Sequence, residues 1–309
     1  MPKRRTEDVV HVAVTDHLIQ RRKPGRDLLG ALQETEPGYH GDVALYDPPQ
    51  LPQPDRDLYL GIALVKDGAD RPRGIALLEK ALAGKPGPVE AYIELAVAYA
   101  SQRNPGAAAE NYRKALKIDP QLSMIRYDLG RALAELGNTQ AAREQYQQVI
   151  REDPDLAEAH NNLATLLVQQ GEPARAVEEY QSAIRARPIY AEAHNNLGHL
   201  YLEQGRLQDA QTEVEEALRS DPAFAPAYNT YGIILANQNR LDPAIRHFER
   251  AVRFDPDLAE AHYNLGCALQ ARGKPEKAVA EFRRAIQLDP GNAPAQRNLQ
   301  ALQKMKAGK

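Results

Sequence analysis

Residues 157–171 read AEAHNNLATLLVQQG, and near-copies stand at 191–205 (AEAHNNLGHLYLEQG) and 259–273 (AEAHYNLGCALQARG), with a weaker one, APAYNTYGIILANQN, beginning at 225. The starts lie 34 or 68 residues apart. A fixed period of this size marks units that each fold as one supersecondary structure and bury their apolar faces only by stacking. Extending the register outward gives the blocks 54–88, 89–122, 123–156, 157–190, 191–224, 225–258 and 259–292, seven repeats in all. The first alone carries an extra residue, near Arg71-Pro72 in its inter-helix turn.

Each block contains two amphipathic stretches of about a dozen residues, the length and period of short helices. A turn around Gly137, Gly171, Gly205 or Gly273 separates them, and Pro86, Pro120, Pro154, Pro188, Pro222, Pro256 or Pro290 stops the second. The block is therefore a helical hairpin. Close helix approach needs small side chains, which accounts for Gly130, Gly198, Gly232 and Gly266 on the first helix, with Ala96 and Ala164 in the same column. Ala108, Ala142, Ala176, Ala210, Ala244 and Ala278 face them from the second. A third small column, Ala81, Ala115, Val149, Ala183, Ala217, Ala251 and Ala285, suits packing on the following hairpin, while Tyr112, Tyr146, Tyr180, Phe248 and Phe282 fill the space between helices.

These columns resemble the tetratricopeptide repeat: a large residue at repeat position 4, Leu at 7, Gly or Ala at 8, a bulky residue at 11, Ala at 20, an aromatic at 24, Ala at 27 and Pro at 32. Three positions depart from the pattern: Gly74 in place of Ala in the first block, Val214 in place of the aromatic in the fifth, and Arg126 at position 4 of the 123–156 block. The resemblance covers 54–292. It implies an all-α fold, a right-handed α-solenoid whose concave groove holds an extended peptide or a partner's terminus. Residues 293–309 begin like another first helix, with Leu299, Leu302 and Met305 on one face, and then turn polar, as expected of a capping helix.

Composition agrees with a helical chain of this kind. Apolar residues make up 43% and charged residues 26%, with no Trp and four Phe, and strong helix formers dominate. A formal charge of −3 gives no field to gather nucleic acid, although residues 1–26 hold seven Lys/Arg against three Asp/Glu. The prospective groove mixes acidic, amide and apolar residues instead of forming a basic stripe, which disfavours an RNA-binding helical repeat. The single Cys267 excludes an internal disulfide or a multi-cysteine metal site. No apolar run is long enough to span a bilayer and no signal peptide is evident, so the sequence as written reads as cytoplasmic. The expected partners are proteins or peptides, self-assembly included. There is no nucleophile elbow, phosphate loop or HExxH, so the chain is not expected to be an enzyme.

Residues 1–53 follow neither the period nor the composition of the repeats. They hold a β-branched stretch (Val9, Val10, Val12, Val14) and end in DPPQLPQPD, an extended Pro-rich linker. The opening string MPKRRTEDVVHVAVTDHLIQRR resembles the region that follows a CxxCH site in bacterial multihaem c-type cytochromes fused to tetratricopeptide arrays. That resemblance implies an alternative role in electron transfer or assembly, periplasmic or extracellular, with His11 or His17 as distal haem ligands. This sequence contains no CxxCH, so haem c would require an upstream motif, and no cofactor is expected for the chain as written. The plainer reading makes both histidines ordinary polar residues.

Within the repeats, His160, His194 and His262 share position 4. Equivalent helices stand about 10 Å apart, too far for shared Zn²⁺ ligation at about 2 Å, so these residues are expected to pack. Cys267 reads as a small packing residue, and Glu90, Glu158, Glu192 and Glu260 at position 2 complement the positive end of the first helix. The best functional signal is the amide column Asn162, Asn196 and Asn264 at position 6, joined by Asp128 and Thr230. A carboxamide there can pair with one peptide unit of an extended ligand, or it can tie adjacent repeats together. Three such groups gain about 3–9 kcal/mol gross against an association cost of about 4–15 kcal/mol. Specificity would then fall to neighbouring groove positions: Tyr127, Arg131, Asn161, Asn195, His199, Glu203, Asn229 and Tyr263.

Overall fold

Two apolar stripes joined by a residue that tolerates a left-handed backbone fold back as a hairpin, and this happens in every block. A computed structural model describes residues 19–21, 43–45, 53–68 and 70–307, which divide into two compact units, 1–152 and 153–309. In the first unit the hairpins are α1 (Gln53–Asp67) with α2 (Arg71–Gly84), α3 (Val89–Ser101) with α4 (Pro105–Ile118), and α5 (Ser123–Glu135) with α6 (Thr139–Glu152). In the second they are α7 (Ala157–Gln169) with α8 (Pro173–Ala186), α9 (Ala191–Glu203) with α10 (Leu207–Ser220), α11 (Ala225–Asn237) with α12 (Leu241–Phe254), and α13 (Ala259–Ala271) with α14 (Pro275–Leu288). A last helix, α15 (Ala293–Ala307), packs on α14 through Ala295, Leu299 and Leu302. The fold is all-α, an α-solenoid of hairpins. The one addition among the described residues is a short antiparallel ribbon in the first unit, β1 (Ile19–Arg21) with β2 (Val43–Leu45), in register Ile19 to Leu45 and set against α1.

Every inter-helix turn places repeat position 15 at positive φ: Gly68 (69°), Arg103 (56°), Gly137 (75°), Gly171 (74°), Gly205 (74°), Asn239 (59°) and Gly273 (75°). That residue terminates the first helix. The next amide reaches back five residues to cap it, as in Asn138 N to Leu133 O, Arg206 N to Tyr201 O and Lys274 N to Leu269 O, each 2.9 Å, the bond that closes a Schellman motif. Glycine pays nothing for this conformation, whereas Arg103 and Asn239 carry a Cβ into it.

The small columns meet large neighbours as expected. A Cβ added to Gly232 would lie 2.4 Å from the Phe248 ring, one at Gly266 2.7 Å from Phe282, and one at Gly130 2.6 Å from Tyr146. The aromatic at position 24 thus lies flat where position 8 has no side chain. In the fifth block Val214 takes the aromatic's place and still reaches within 2.8 Å of the Cβ position of Gly198, so the substitution leaves no gap there.

Position 4 does more than pack. His160, His194 and His262 each set Nε2 against the carbonyl of the stop proline six residues earlier, Pro154, Pro188 or Pro256, at 3.0–3.1 Å. Tyr228 donates its hydroxyl to Pro222 O at 3.1 Å and Gln296 its amide to Pro290 O at 2.8 Å. Arg126, a departure from the repeat pattern at this position, performs the same service: its Nη2 donates to Pro120 O at 2.5 Å. From Arg126 onward the column is one of donors that satisfy a carbonyl in the inter-repeat turn, whereas Tyr92 accepts from Gly87 N at 3.4 Å and Asp57 from Gln53 and Lys80.

Candidate functional site

In the second unit the first helices of successive repeats enclose a cleft of about 370 Å³. Thr165, Val168 and Gln169 line it from α7, Asn195, Asn196, His199 and Glu203 from α9, Asn229 and Thr230 from α11, and Glu260 from α13. Position and period explain the gathering. Residues at positions 5, 6, 9 and 13 fall on one stripe of a first helix, and the repeat brings the same stripe round in each hairpin. Four of the predicted residues, Asn195, Asn196, His199 and Asn229, thus line one cavity, with Glu203.

The amides are wired by a rule that sequence reading did not supply. The position-5 carboxamide oxygen accepts from the position-6 side chain of the following repeat: Asn161 from Asn196 Nδ2 (3.1 Å), Asn195 from Thr230 Oγ1 (2.9 Å) and Asn229 from Asn264 Nδ2 (2.9 Å). Asn196 and Asn264 therefore tie repeats together, the second of the two roles open to them. Asn162 sits beside Asn161, whose Nδ2 reaches its Oδ1 at 3.4 Å. Asn161 is 1% exposed and also donates to Glu192 at 3.3 Å. In the next repeat Pro226 stands where Glu192 stood, and Asn195 Nδ2 makes no hydrogen bond among the described residues. The same holds for Asn229 Nδ2. These two residues are 7% and 4% exposed, and both border the cleft.

The remaining candidates lie elsewhere. Tyr263 packs its ring 6.0 Å from Phe282, and burial pushes up both its hydroxyl and the Cys267 thiol, whose Sγ is 3.5 Å from Asn298 Nδ2. Tyr127 and Arg131 belong to the first unit, where Tyr127 meets the Tyr146 ring at 5.9 Å and Arg131 lies 3.6 Å from Asp128. Burial raises the Asp128 carboxyl. That unit has its own cleft of about 550 Å³, bordered by Leu82, Tyr92, Leu95 and Tyr99, with Glu110 and Lys114. His11 and His17 fall outside the described residues.

The position-4 histidines carry a second bond, again missed from sequence. Nδ1 of His160, His194 and His262 lies 2.6–2.7 Å from a carboxylate oxygen of Glu179, Glu213 or Glu281, each at position 23 of its own block. A signal existed, since His and Glu recur 19 residues apart in three blocks and both change in the sixth, to Tyr228 and His247. For His160 and His194 burial disfavours the charged ring, but the carboxylate and the proline carbonyl outweigh it and the pKa is raised. His247 goes the other way. Burial, then Arg250 and Arg246, lower it to about 4, and its Nδ1 is buried without a partner among the described residues.

Sequence models of the tetratricopeptide repeat match residues 89–122, 127–191, 162–223, 195–259 and 259–292. The chain belongs to the tetratricopeptide repeat family. Known structures agree with the solenoid of this tetratricopeptide protein. A tetratricopeptide repeat protein from Parabacteroides merdae superposes with a TM-score of 0.68 at 16% identity, covering 81% of this chain and 98% of that one. PilF of Pseudomonas aeruginosa gives 0.58 at 21% identity over 72% and 97%. A chain of the Cut9–Hcn1 hetero-tetramer of the APC/C gives 0.64 at 18% identity over 79% of this chain, which spans 48% of that longer one. No curated protein matches the chain in sequence. Tetratricopeptide repeats are in general protein-interaction scaffolds, and no helix among the described residues is long and apolar enough to cross a membrane.

Proposed function

We propose that this tetratricopeptide protein is a scaffold that holds an extended segment of a partner protein in the cleft bordered by α7, α9, α11 and α13. The observation that carries the reading is the pair of amide nitrogens, Asn195 Nδ2 and Asn229 Nδ2, on largely buried residues that border the cleft, which make no hydrogen bond among the described residues. A carboxamide whose oxygen is fixed by the next repeat holds its N–H donors in place at the cleft wall, where a ligand's backbone carbonyl can accept from them. Position 5, with position 6 bracing it, is on this reading the ligand-facing column.

The test separates the two columns. In the N195D/N229D variant each side chain keeps the oxygen that accepts from Thr230 or Asn264 and loses its N–H donors. Binding of a neutral, fluorescein-labelled nonapeptide of repeating Pro-Gln-Ala, followed by anisotropy, is expected to weaken roughly fivefold to thirtyfold for two lost bonds of about 0.5–1 kcal/mol each, measured at a temperature where circular dichroism shows both proteins folded, because a largely buried carboxyl costs stability. Undiminished binding would exclude this cleft as the site.

A further inference from the structure

We infer that the cleft selects a partner segment carrying lysines or arginines, whose cationic head groups lie against Glu203 and Glu260. This rests on the proposed peptide-binding role and adds the chemistry of the occupant. The first helices of the second unit's hairpins, α7, α9, α11 and α13, contain four carboxylates, Glu158, Glu192, Glu203 and Glu260, and no Lys or Arg. Every Lys and Arg of blocks 157–292 sits on a second helix or in a turn.

The four carboxylates are not equivalent. Glu158 is paired with Arg187 at 2.5 Å, and Glu192 accepts from Asn161. Neither borders the cleft. Glu203 and Glu260 do border it, and neither has a Lys or Arg partner among the described residues; Glu203 has only His199 at 3.7 Å. A ligand that suits this wall must offer acceptors to the Asn195 and Asn229 amides and positive charge to the two carboxylates. A peptide backbone with a basic side chain supplies both. An acidic peptide or a nucleic acid supplies the acceptors but sets its own negative charge against a wall with no lysine or arginine to receive it.

Spacing sets the form of the probe. Three residues of an extended polyproline-like chain advance about 9 Å, close to the 8–10 Å between packed helices, so a charge at every third residue offers about one per repeat along a wall whose two carboxylates stand on α9 and α13. The test uses the full chain and three labelled nonapeptides, repeating Pro-Lys-Ala, Pro-Gln-Ala and Pro-Glu-Ala, in anisotropy titrations at low and physiological salt. The lysine peptide is expected to bind roughly tenfold tighter than the glutamate peptide, the worth of two partly exposed ion pairs. The preference should shrink with salt and vanish in E203Q/E260Q, whose glutamines keep the size of the side chains. Equal binding of the lysine and glutamine peptides overturns the charge selection and leaves the groove reading standing. A lysine preference that survives E203Q/E260Q overturns the assignment to these carboxylates. Failure of all three peptides to bind overturns both.

Discussion

At His160 and His194 both ring nitrogens face oxygens that can only accept, a carboxylate on one side and a peptide carbonyl on the other. A neutral imidazole donates from one nitrogen only, so both bonds form only in the imidazolium. For His160 and His194 the folded pKa is raised. Their contribution to stability is therefore full below the ordinary histidine value near 6.5 and is lost as pH rises through the folded value. Thermal unfolding compared at pH 6 and pH 8 is expected to show about 1–2 kcal/mol of stability lost at the higher pH from this pair. In H160Y/H194Y that part of the slope should disappear, because tyrosine at this position, as Tyr228 shows, bonds the proline carbonyl without titrating in the range. An unaltered slope would place the pH dependence elsewhere. His247 predicts the opposite trend. The unfolded chain takes up its proton near pH 6.5 while the folded ring resists until about 4, so stability falls between those values as acid is added. The H247F variant should flatten that acid limb.

At the scale of the element, the turn is where sequence and structure differ in detail but not in kind. Position 15 is left-handed in all seven repeats, although Arg103 and Asn239 stand where five glycines otherwise do. Arg103 is exposed in a turn whose backbone penalises its Cβ by about 1–2 kcal/mol, partly offset by glycine's greater flexibility when unfolded. R103G should thus raise stability by about 0.5–1 kcal/mol in urea unfolding, and a loss would show that the side chain contributes more than its strain costs. Gly232 answers to the opposite constraint. Its added Cβ would meet an aromatic ring in a packed layer, so G232A is expected to cost about 1–3 kcal/mol, visible as a lower denaturation midpoint. The hairpins, their register and these close approaches were legible in the sequence because seven copies average out local exceptions. The cleft was only half legible. Periodicity puts Asn195, Asn196, His199 and Asn229 on one stripe, but which amide faces its neighbour and which faces solvent depends on the 35-residue pairing between repeats, and on Pro226 standing where Glu192 stood in the preceding repeat. The β1–β2 ribbon was not legible, since three residues per strand make too short a pattern to read.

Across the molecule, a stack of hairpins has no central core, so the stability of each repeat depends on the faces that cover it. In the second unit α15 supplies such a face. Leu302, 7% exposed, and the partly buried Leu299 join one cluster with Leu265, Leu269 and Phe282. Deleting residues 293–309 strips that cover from α14, and the leucine burial it removes is worth about 2–4 kcal/mol. Because neighbours couple only to neighbours, the loss should fall on the last hairpin. Hydrogen exchange is expected to accelerate in α13 and α14 while α7 and α8 keep their protection. The bared face should also promote self-association, seen by light scattering at high protein concentration. Uniform deprotection from α7 to α14 would mean that the second unit unfolds as one cooperative body and that α15 stabilises all of it. Unchanged exchange would mean that the Leu299 and Leu302 contacts contribute nothing net, and that the second unit is held by its hairpins alone.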